Sequence, residues 1–231
     1  MKHSGKAMQA GMRLIFWSLI ALVVLFLIGL LATLVGHLIA FVSLVLISLW
    51  ILFSLFTLFF FRDPTPRVPE DSDAIAAPAH GKVDAIDELD EPEFMGGRCR
   101  RISIFLSVFD VHVQNAPVAG RIAHVKQNPG QFLNAMRLDS AAFNENTLVG
   151  IESAEAPSER VAVRLIAGLI ARRIVLFATL GETLTRGERL ALIQFGSRVD
   201  LYLPMETEVT VRLGQRVRGG QTIVARRKMP A

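Results

Sequence analysis

The chain has 231 residues, enough for one or two domains, and 52% of them are hydrophobic. Its single cysteine, Cys99, excludes an internal disulfide and a cysteine-based metal site, and it suits a reducing compartment. The net charge of +4 favours an anionic partner, which we expect to be a membrane surface. We expect no nucleic acid partner, because basic and aromatic residues do not interleave as they do in RNA- and DNA-binding motifs.

The hydrophobic residues are concentrated near the N-terminus, where positions 14–61 contain no charged residue. A helix needs about 20 apolar residues to cross a bilayer, so this run is long enough for two spans. We predict a transmembrane α-hairpin within residues 1–62, with helices at about 14–35 and 38–60 joined by a short turn near Gly36. The alternative is one long tilted helix followed by a buried core segment.

Basic residues flank the hydrophobic run at both ends and are absent from its centre. Lys2, Lys6 and Arg13 come before the run, and Arg62 and Arg67 follow it. Since Lys and Arg favour the cytoplasmic side of a membrane, we expect both ends of the hairpin to lie on that side. This predicts a protein of the cell inner membrane whose remaining residues lie in the cytoplasm.

The composition changes at the proline-rich segment 63–69, which ends the second predicted helix and forms a stiff connector. After it, short β-rich runs alternate with turn signals, a pattern typical of a β-sandwich or barrel. We therefore predict a mainly β domain over 63–231, with lipoyl-type hammerhead elements and little helix. The one helix that we predict in it spans 165–178. The predicted strands are 81–86, 101–107, 120–127, 146–153, 161–166, 189–193, 198–203, 208–211 and 222–226.

One local pattern occurs twice in the predicted β domain. Segments 180–188 and 213–220 both contain a hydrophobic residue, glycine, a polar residue, any residue, a hydrophobic residue, any two residues and glycine. Such turns are typical of lipoyl- and biotin-type barrels, in which paired hammerhead strands use glycines at positive φ. The repeat therefore indicates a fold, and it also supports a function other than catalysis.

Gly196 and Ser197 form the only Gly-Ser dipeptide in the chain. By itself such a dipeptide is more typical of a β-turn than of a reactive site. A serine hydroxyl can also attack the preceding carbonyl and break the peptide bond, which would convert Ser197 into a pyruvoyl group. The surrounding segments decide between the two interpretations.

Four segments carry a resemblance to a known family. They are 77–83 APAHGKV, 105–117 FLSVFDVHVQNAP, 166–168 IAG with 171–174 ARRI, and 195–204 FGSRVDLYLP. In this order and spacing they resemble the phosphatidylserine decarboxylase family, in its short bacterial and archaeal form, over about residues 62–226. The second and fourth segments are the most specific, and a membrane hairpin suits an enzyme with a lipid substrate.

The resemblance implies a self-processing enzyme with a pyruvoyl cofactor. The Ser197 hydroxyl would attack the carbonyl of Gly196, and the chain would split into a β subunit, 1–196, and an α subunit, 197–231. The pyruvoyl group at the start of the α subunit would form a Schiff base with phosphatidylserine from the membrane and act as an electron sink while CO₂ leaves. The product would be phosphatidylethanolamine. The sequence also allows a homo-oligomer.

The resemblance assigns catalytic residues as well. His112, in the second segment, would donate and accept protons, and we prefer it to His124, which we interpret as an ordinary strand residue. In the first segment the family has Asp where this chain has His80. As a catalytic residue His80 could itself act as a base or hydrogen-bond to His112, and Asp110 or Asp84 could supply the missing charge. We predict no metal site, because no histidine or cysteine motif with ligand spacing is present.

Substrate-binding residues follow from the charge of the lipid head group. Arginine binds phosphate and carboxylate groups well, and Arg172, Arg173 and Arg198 are the candidates. Asn115 is a further candidate, because longer family members have a second histidine at this place. Apolar residues before the connector, such as Phe60, are expected to mark the membrane interface and not a pocket.

Two other functions remain open from the sequence. The chain could be a membrane-anchored adaptor built on a lipoyl-like barrel, although Glu206 stands in the turn where a carrier would need Lys. It could also be a family member that has lost self-cleavage through His80 and only binds lipid. Both alternatives predict one uncut chain of 25.5 kDa.

Overall fold

The computed structural model describes residues 6–131, 143–168, 173–194 and 196–228. Within these residues the chain forms one long helix followed by short β-strands. The elements are α1 (Lys6–Phe60), β1 (Ala74–Ala76), β2 (Gly81–Glu91), β3 (Gly97–Leu106), β4 (Val113–Asn115), β5 (Gly120–Asn128), β6 (Asn146–Ser153), β7 (Arg160–Ala167), β8 (Ile174–Leu176), β9 (Thr183–Leu184), β10 (Arg189–Ile193), β11 (Ser197–Leu203), β12 (Glu208–Val209), β13 (Arg216–Val217) and β14 (Ile223–Arg226).

Helix α1 is long and apolar enough to cross a membrane. It differs from the predicted hairpin because it continues without a turn through Gly36 and His37. A glycine costs a helix only about 1 kcal/mol, and no proline interrupts the run. With 55 residues, α1 is about 80 Å long, more than twice the roughly 30 Å thickness of a hydrocarbon core. Its length therefore corresponds to two membrane spans.

The chain divides into two compact units, one ending at Thr57 and the other beginning at Leu58. The last turn of α1 therefore belongs to the same unit as the β-strands. Phe60 and Arg62 therefore lie in the same unit as the residues of the β domain that they contact.

The predicted mainly β fold is confirmed. Eight strands form one antiparallel sheet in the order β13-β2-β3-β11-β7-β6-β5-β9, and two three-stranded sheets have the orders β1-β14-β12 and β4-β10-β8. Strand β11 lies between β3 and β7. Every residue of β11 is buried, so both of its faces are covered.

The two faces of β11 differ in composition. Val199, Leu201 and Leu203 belong to the main hydrophobic core. Because side chains alternate along a strand, Arg198 and Asp200 lie on the opposite face and are buried there. A strand in the middle of the domain therefore carries an apolar face and a charged face.

The turn pattern that occurs twice in the sequence forms the same local structure at both places. Gly181 and Gly187 flank β9, Gly214 and Gly220 flank β13, and all four have φ values between +68° and +87°. In each copy a two-residue strand is followed by a glycine turn and a longer strand, β10 or β14. The positive φ values confirm the predicted role of these glycines, since other residues are strained there.

The predicted helix at 165–178 is wrong. Strand β7 extends to Ala167 and β8 occupies Ile174–Leu176, while residues 169–172 lie outside the described part. The segment is rich in Ile and Val, whose branched side chains favour strands. Leu165 and Ile166 are fully buried and pair with β11 on one side and with β6 on the other.

Candidate active site

Ser197 is the first residue of β11 and is fully buried. It pairs with Leu106 and Ala167, the last residues of β3 and β7, so it lies where all three strands reach the same edge of the sheet. Its Oγ atom makes no hydrogen bond in the described part of the chain. A buried hydroxyl without a partner is costly, so its presence at this position calls for an explanation.

Gly196 provides the bend that leads into β11. Its φ is +66°, in the left-handed region that favours glycine, and a Cβ atom built on it would meet no neighbouring atom. Its amide N–H points to His112, with 3.3 Å between the amide nitrogen and Nε2. The Gly196–Ser197 peptide bond therefore joins a residue held by His112 to a residue with a free hydroxyl.

His112 is fully buried in the segment between β3 and β4. Its Nδ1 atom lies 2.9 Å from the carbonyl oxygen of Asp110, which can only accept a hydrogen bond, so Nδ1 carries the proton. Its Nε2 atom is then the unprotonated acceptor that faces Gly196. Burial lowers the pKa of His112 to about 4, so the imidazole is a neutral base at pH 7.

The ring of Phe60 covers His112. Phe60 is fully buried, and the two ring centroids are 4.1 Å apart with 35° between the ring planes. Phe60 was expected to mark the membrane interface and not a pocket. That expectation is wrong, because the side chain is buried against His112. The residue belongs to the last turn of α1, where one side of the helix meets the β domain.

Asp110 organises the segment that carries His112. Its Oδ2 atom accepts hydrogen bonds from the amide and hydroxyl of Ser107, at 2.9 and 2.8 Å, and its Oδ1 atom lies 3.3 Å from Arg216. The Asp110 carboxylate therefore does not hydrogen-bond to the imidazole. Its backbone carbonyl fixes the ring, and the nearby negative charge opposes the effect of burial on the pKa of His112.

His80 lies between β1 and β2 and is partly exposed. It packs closely against a glycine turn, because a Cβ atom on Gly219 would come within 3.0 Å of its Cδ2 atom. Burial lowers the pKa of His80, and the Asp110 carboxylate opposes that effect. His80 and His112 thus share Asp110 as an electrostatic neighbour, although the described residues show no hydrogen bond between the two rings.

Asn115 is buried in β4 and has partners within the fold. Its Nδ2 atom donates to the carbonyl of Gly187 at 2.9 Å, and its backbone N–H donates to Pro78 at 2.8 Å. The side chain therefore connects the first of the two glycine turns to the segment that follows His112. No contact in the described structure directs it toward Ser197.

The three candidate arginines have different environments. Arg173 is exposed, and Arg172 lies outside the described residues. Arg198 is only 1% exposed, and its Nη2 atom lies 2.5 Å from Oδ2 of Asp84. A β-bulge between Val83 and Ala85 leaves Asp84 out of the strand register, which allows its carboxylate to reach Arg198.

Sequence reasoning did not identify Phe60 or Arg62 as part of the site. Arg62 donates from Nη2 to the carbonyl of Phe109 at 2.5 Å and from Nη1 to the carbonyl of Phe59 at 2.7 Å. It therefore joins the end of α1 to the segment that holds His112. The only local signal was an aromatic residue close to the predicted membrane boundary, which is equally consistent with an interfacial position.

Comparison with known proteins identifies the family of this chain. A model of the phosphatidylserine decarboxylase family matches residues 53–225. The phosphatidylserine decarboxylase proenzyme of Desulfotalea psychrophila is 43% identical over 180 residues, which cover 78% of this chain and 83% of the relative. That of Carboxydothermus hydrogenoformans is also 43% identical, over 219 residues that cover 92% of this chain and 94% of the relative. The chain therefore belongs to the phosphatidylserine decarboxylase family.

Proposed function

We propose that this chain cuts itself between Gly196 and Ser197 and then converts phosphatidylserine to phosphatidylethanolamine and CO₂. Family membership supports the decarboxylation, and the names of the relatives describe proenzymes. The single observation that supports the self-cleavage is the buried Ser197 hydroxyl, which makes no hydrogen bond within the described residues. It lies next to a glycine whose amide faces the unprotonated Nε2 atom of His112.

The first step uses only side chains and backbone of this site. His112 Nε2 accepts the hydroxyl proton of Ser197, and Oγ forms a bond to the carbonyl carbon of Gly196. The bond from that carbon to the Ser197 nitrogen then breaks, and the nitrogen takes up the proton. An ester replaces the peptide bond, and the atoms of the chain are unchanged.

The second step breaks the chain. Removal of the Ser197 α-proton expels the Gly196 carboxylate from Cβ and leaves a carbon–carbon double bond at residue 197. Rearrangement of this group to an imine and addition of one water molecule release one ammonia molecule and leave the pyruvoyl ketone. His112 is the group that we expect to move the protons, because its Nε2 atom is unprotonated and lies at the Gly196 amide, next to the bond that breaks.

The surroundings of Ser197 fit a pyruvoyl group. The position is buried at the edge of the sheet between Leu106 and Ala167, and its oxygen makes no hydrogen bond in the described part of the chain. Bound in this way, the group would supply an electrophilic ketone for the substrate amine and an electron sink for the departing CO₂. His112 would move protons at Nε2, while the ring of Phe60 excludes water from it.

We propose that Arg173 contacts the lipid head group. Arg173 is exposed, whereas Arg198 forms a buried ion pair with Asp84 and Arg172 lies outside the described residues. An exposed guanidinium can approach a phosphate or carboxylate without losing an internal partner. Arg198 would instead leave Asp84 as an unpaired charge if it turned toward a ligand.

We also propose that in a bilayer the apolar run, which is the continuous helix α1 in this structure, turns near Gly36 to form two spans, with the β domain on the cytoplasmic side of the cell inner membrane. The length of α1 supports two spans, and the basic residues at both ends of the apolar run support a cytoplasmic location for both ends. This arrangement would keep the site beside its lipid substrate.

The proposed function is tested with the purified full-length chain in detergent. We expect the wild type to give fragments 1–196 and 197–231 on a denaturing gel, with the small fragment lighter than its serine form by the mass of ammonia. It should release CO₂ from carboxyl-labelled phosphatidylserine. Ser197→Ala should leave one chain of 25.5 kDa without activity.

Ser103→Ala is the matched control, because Ser103 is also a fully buried serine, in the strand next to β11, where it pairs with Asp200 and is not preceded by glycine. We expect this variant to be cut and active. An uncut wild type, or a Ser197→Ala variant cut like the wild type, would contradict self-cleavage. An uncut and inactive wild type would favour the lipid-binding or adaptor alternative.

A further inference from the structure

The last turn of α1 places one aromatic side chain inside the β domain. Phe60 is 0% exposed, whereas its neighbours Leu58, Phe59 and Phe61 are 73%, 44% and 41% exposed. Phe60 is therefore the side chain of this turn that faces inward. It lies on His112, with ring centroids 4.1 Å apart.

Arg62 holds the same turn against the segment that precedes His112. Its guanidinium donates to the carbonyl of Phe109 at 2.5 Å and lies over the ring of Phe59, 3.9 Å from the ring centroid. The next residue, Asp110, supplies the carbonyl that fixes Nδ1 of His112. A continuous set of contacts therefore leads from the end of α1 to the base that faces Gly196.

We propose that Phe60 is a positioning residue for self-cleavage, through which the end of the membrane helix completes the pocket of His112 and keeps water from the imidazole. The inference rests on the proposed self-cleavage. It means that the chain matures at full rate only while the helix end is packed on the β domain. Membrane anchoring and activation are then joined at one aromatic contact.

Several charged groups near His112 influence its pKa, and they would still do so if Phe60 were replaced. Asp110 on its own segment favours the protonated ring, and Arg62 from the helix end disfavours it. Among the described residues, strand β10 and the bend before β11 contact His112 through backbone N–H groups, from Ile193 to its carbonyl and from Gly196 to Nε2. His80 shares Asp110 as a neighbour.

Burial changes the pKa of His112 more than these charged groups do, and it lowers that pKa to about 4. Removing the Phe60 ring admits water and stabilises the charged imidazole, so the pKa should rise toward its ordinary value of about 6.5. A base works only in its neutral form. The variant should therefore lose self-cleavage as the pH falls through 6.5, while the wild type retains it down to about pH 5.

The test measures the rate of self-cleavage at pH 8 and pH 5.5. The full-length chain is made by cell-free synthesis in the presence of vesicles of phosphatidylglycerol and phosphatidylcholine, labelled briefly and followed on a denaturing gel. The variants are Phe60→Ala, Phe60→Gln and the conservative Phe60→Leu. Leu58→Ala is the matched control, because it removes an exposed apolar side chain from the same turn.

For the wild type and Leu58→Ala we expect the two rates to agree within about twofold. For Phe60→Ala and Phe60→Gln we expect the rate at pH 8 to exceed that at pH 5.5 by about tenfold, which corresponds to a pKa near 6.5. Phe60→Leu should restore most of the wild-type behaviour, since it keeps an apolar cover. Trypsin resistance of the β domain shows whether each variant is folded.

Several results would overturn the proposal. It fails if folded Phe60→Ala and Phe60→Gln keep the rate ratio of Leu58→Ala. It also fails if both variants lose trypsin resistance, because Phe60 would then be a core residue and nothing more. Failure of the proposed function looks different: the wild type would remain uncut at both pH values, or Ser197→Ala would be cut as well.

Discussion

Two neighbouring residues at the start of β11 face opposite environments. Ser197 is buried, its hydroxyl makes no hydrogen bond within the described residues, and the amide of the preceding residue faces the neutral imidazole of His112. Arg198 is equally buried on the other face of the strand, but its charge is balanced by Asp84 at 2.5 Å. The first environment contains a neutral hydroxyl without a hydrogen bond in the described residues, and the second contains two opposite charges in an ion pair.

This difference separates two uses of buried polar residues. A charge inside a protein is tolerated when a partner compensates it, as Asp84 does for Arg198. A neutral hydroxyl without a partner costs less and remains available for bond formation. On this basis, changes around Ser197 should affect the chemistry, and changes around Arg198 should affect folding.

The largest effect is expected from His112→Gln. Glutamine keeps a polar side chain of similar size but cannot accept the Ser197 proton as a base. We expect self-cleavage to slow by about 10²- to 10⁴-fold, the usual contribution of a general base. The rate is measured on freshly synthesised full-length chain. His124→Gln, on β5, is the control that should cut normally, and equal rates for the two variants would remove His112 from the reaction.

A smaller effect, on stability, is expected from Arg198→Met. This change leaves Asp84 without its partner at the edge of the sheet and should lower the free energy of unfolding by about 3–5 kcal/mol. Urea denaturation of the detergent-solubilised chain checks this value. The control is Arg98→Met, because Arg98 forms an exposed ion pair with Glu88 that should contribute less than about 1 kcal/mol.

If the Arg198→Met variant were as stable as Arg98→Met but failed to cut itself, Arg198 would have a role in self-cleavage and not in stability.

The smallest effect is expected from His80→Asp. His80 and His112 lie near the same Asp110 carboxylate, so a second carboxylate at position 80 should raise the pKa of His112 and make it a stronger base. We expect self-cleavage at pH 7.5 to become about threefold faster. His80→Asn, which has similar size and no charge, is the control. A His80→Asp variant slower than wild type would show that the imidazole itself is needed.

Much of the β domain could be predicted from the sequence because its signals are local. The predicted bounds 146–153 and 189–193 coincide with β6 and β10, and the glycines of the two repeated turns have the expected positive φ values. The helix predicted at 165–178 is wrong because the apolar residues of this segment fit either a helix or a buried strand. Pairing with β11 selects the strand.

The polar partners of the site could not be predicted in the same way. Asp84 reaches Arg198 because a bulge shifts one strand by a residue, and such a shift has no local signal here. Phe60 reaches His112 across more than fifty positions of the chain. Ser197 and His112 could be named as candidates because they stand in specific motifs, whereas the side chains that contact their surroundings depend on tertiary packing.

The position of β11 between β3 and β7 has a consequence for the mature protein. The proposed cut falls at the first residue of this strand, so the fragment 197–231 would keep its hydrogen bonds to β3 and β7. Its later strands would also stay paired, β13 with β2 and β14 with β1. The two fragments would contribute strands to the same β-sheets, so they could separate only if these sheets were disrupted.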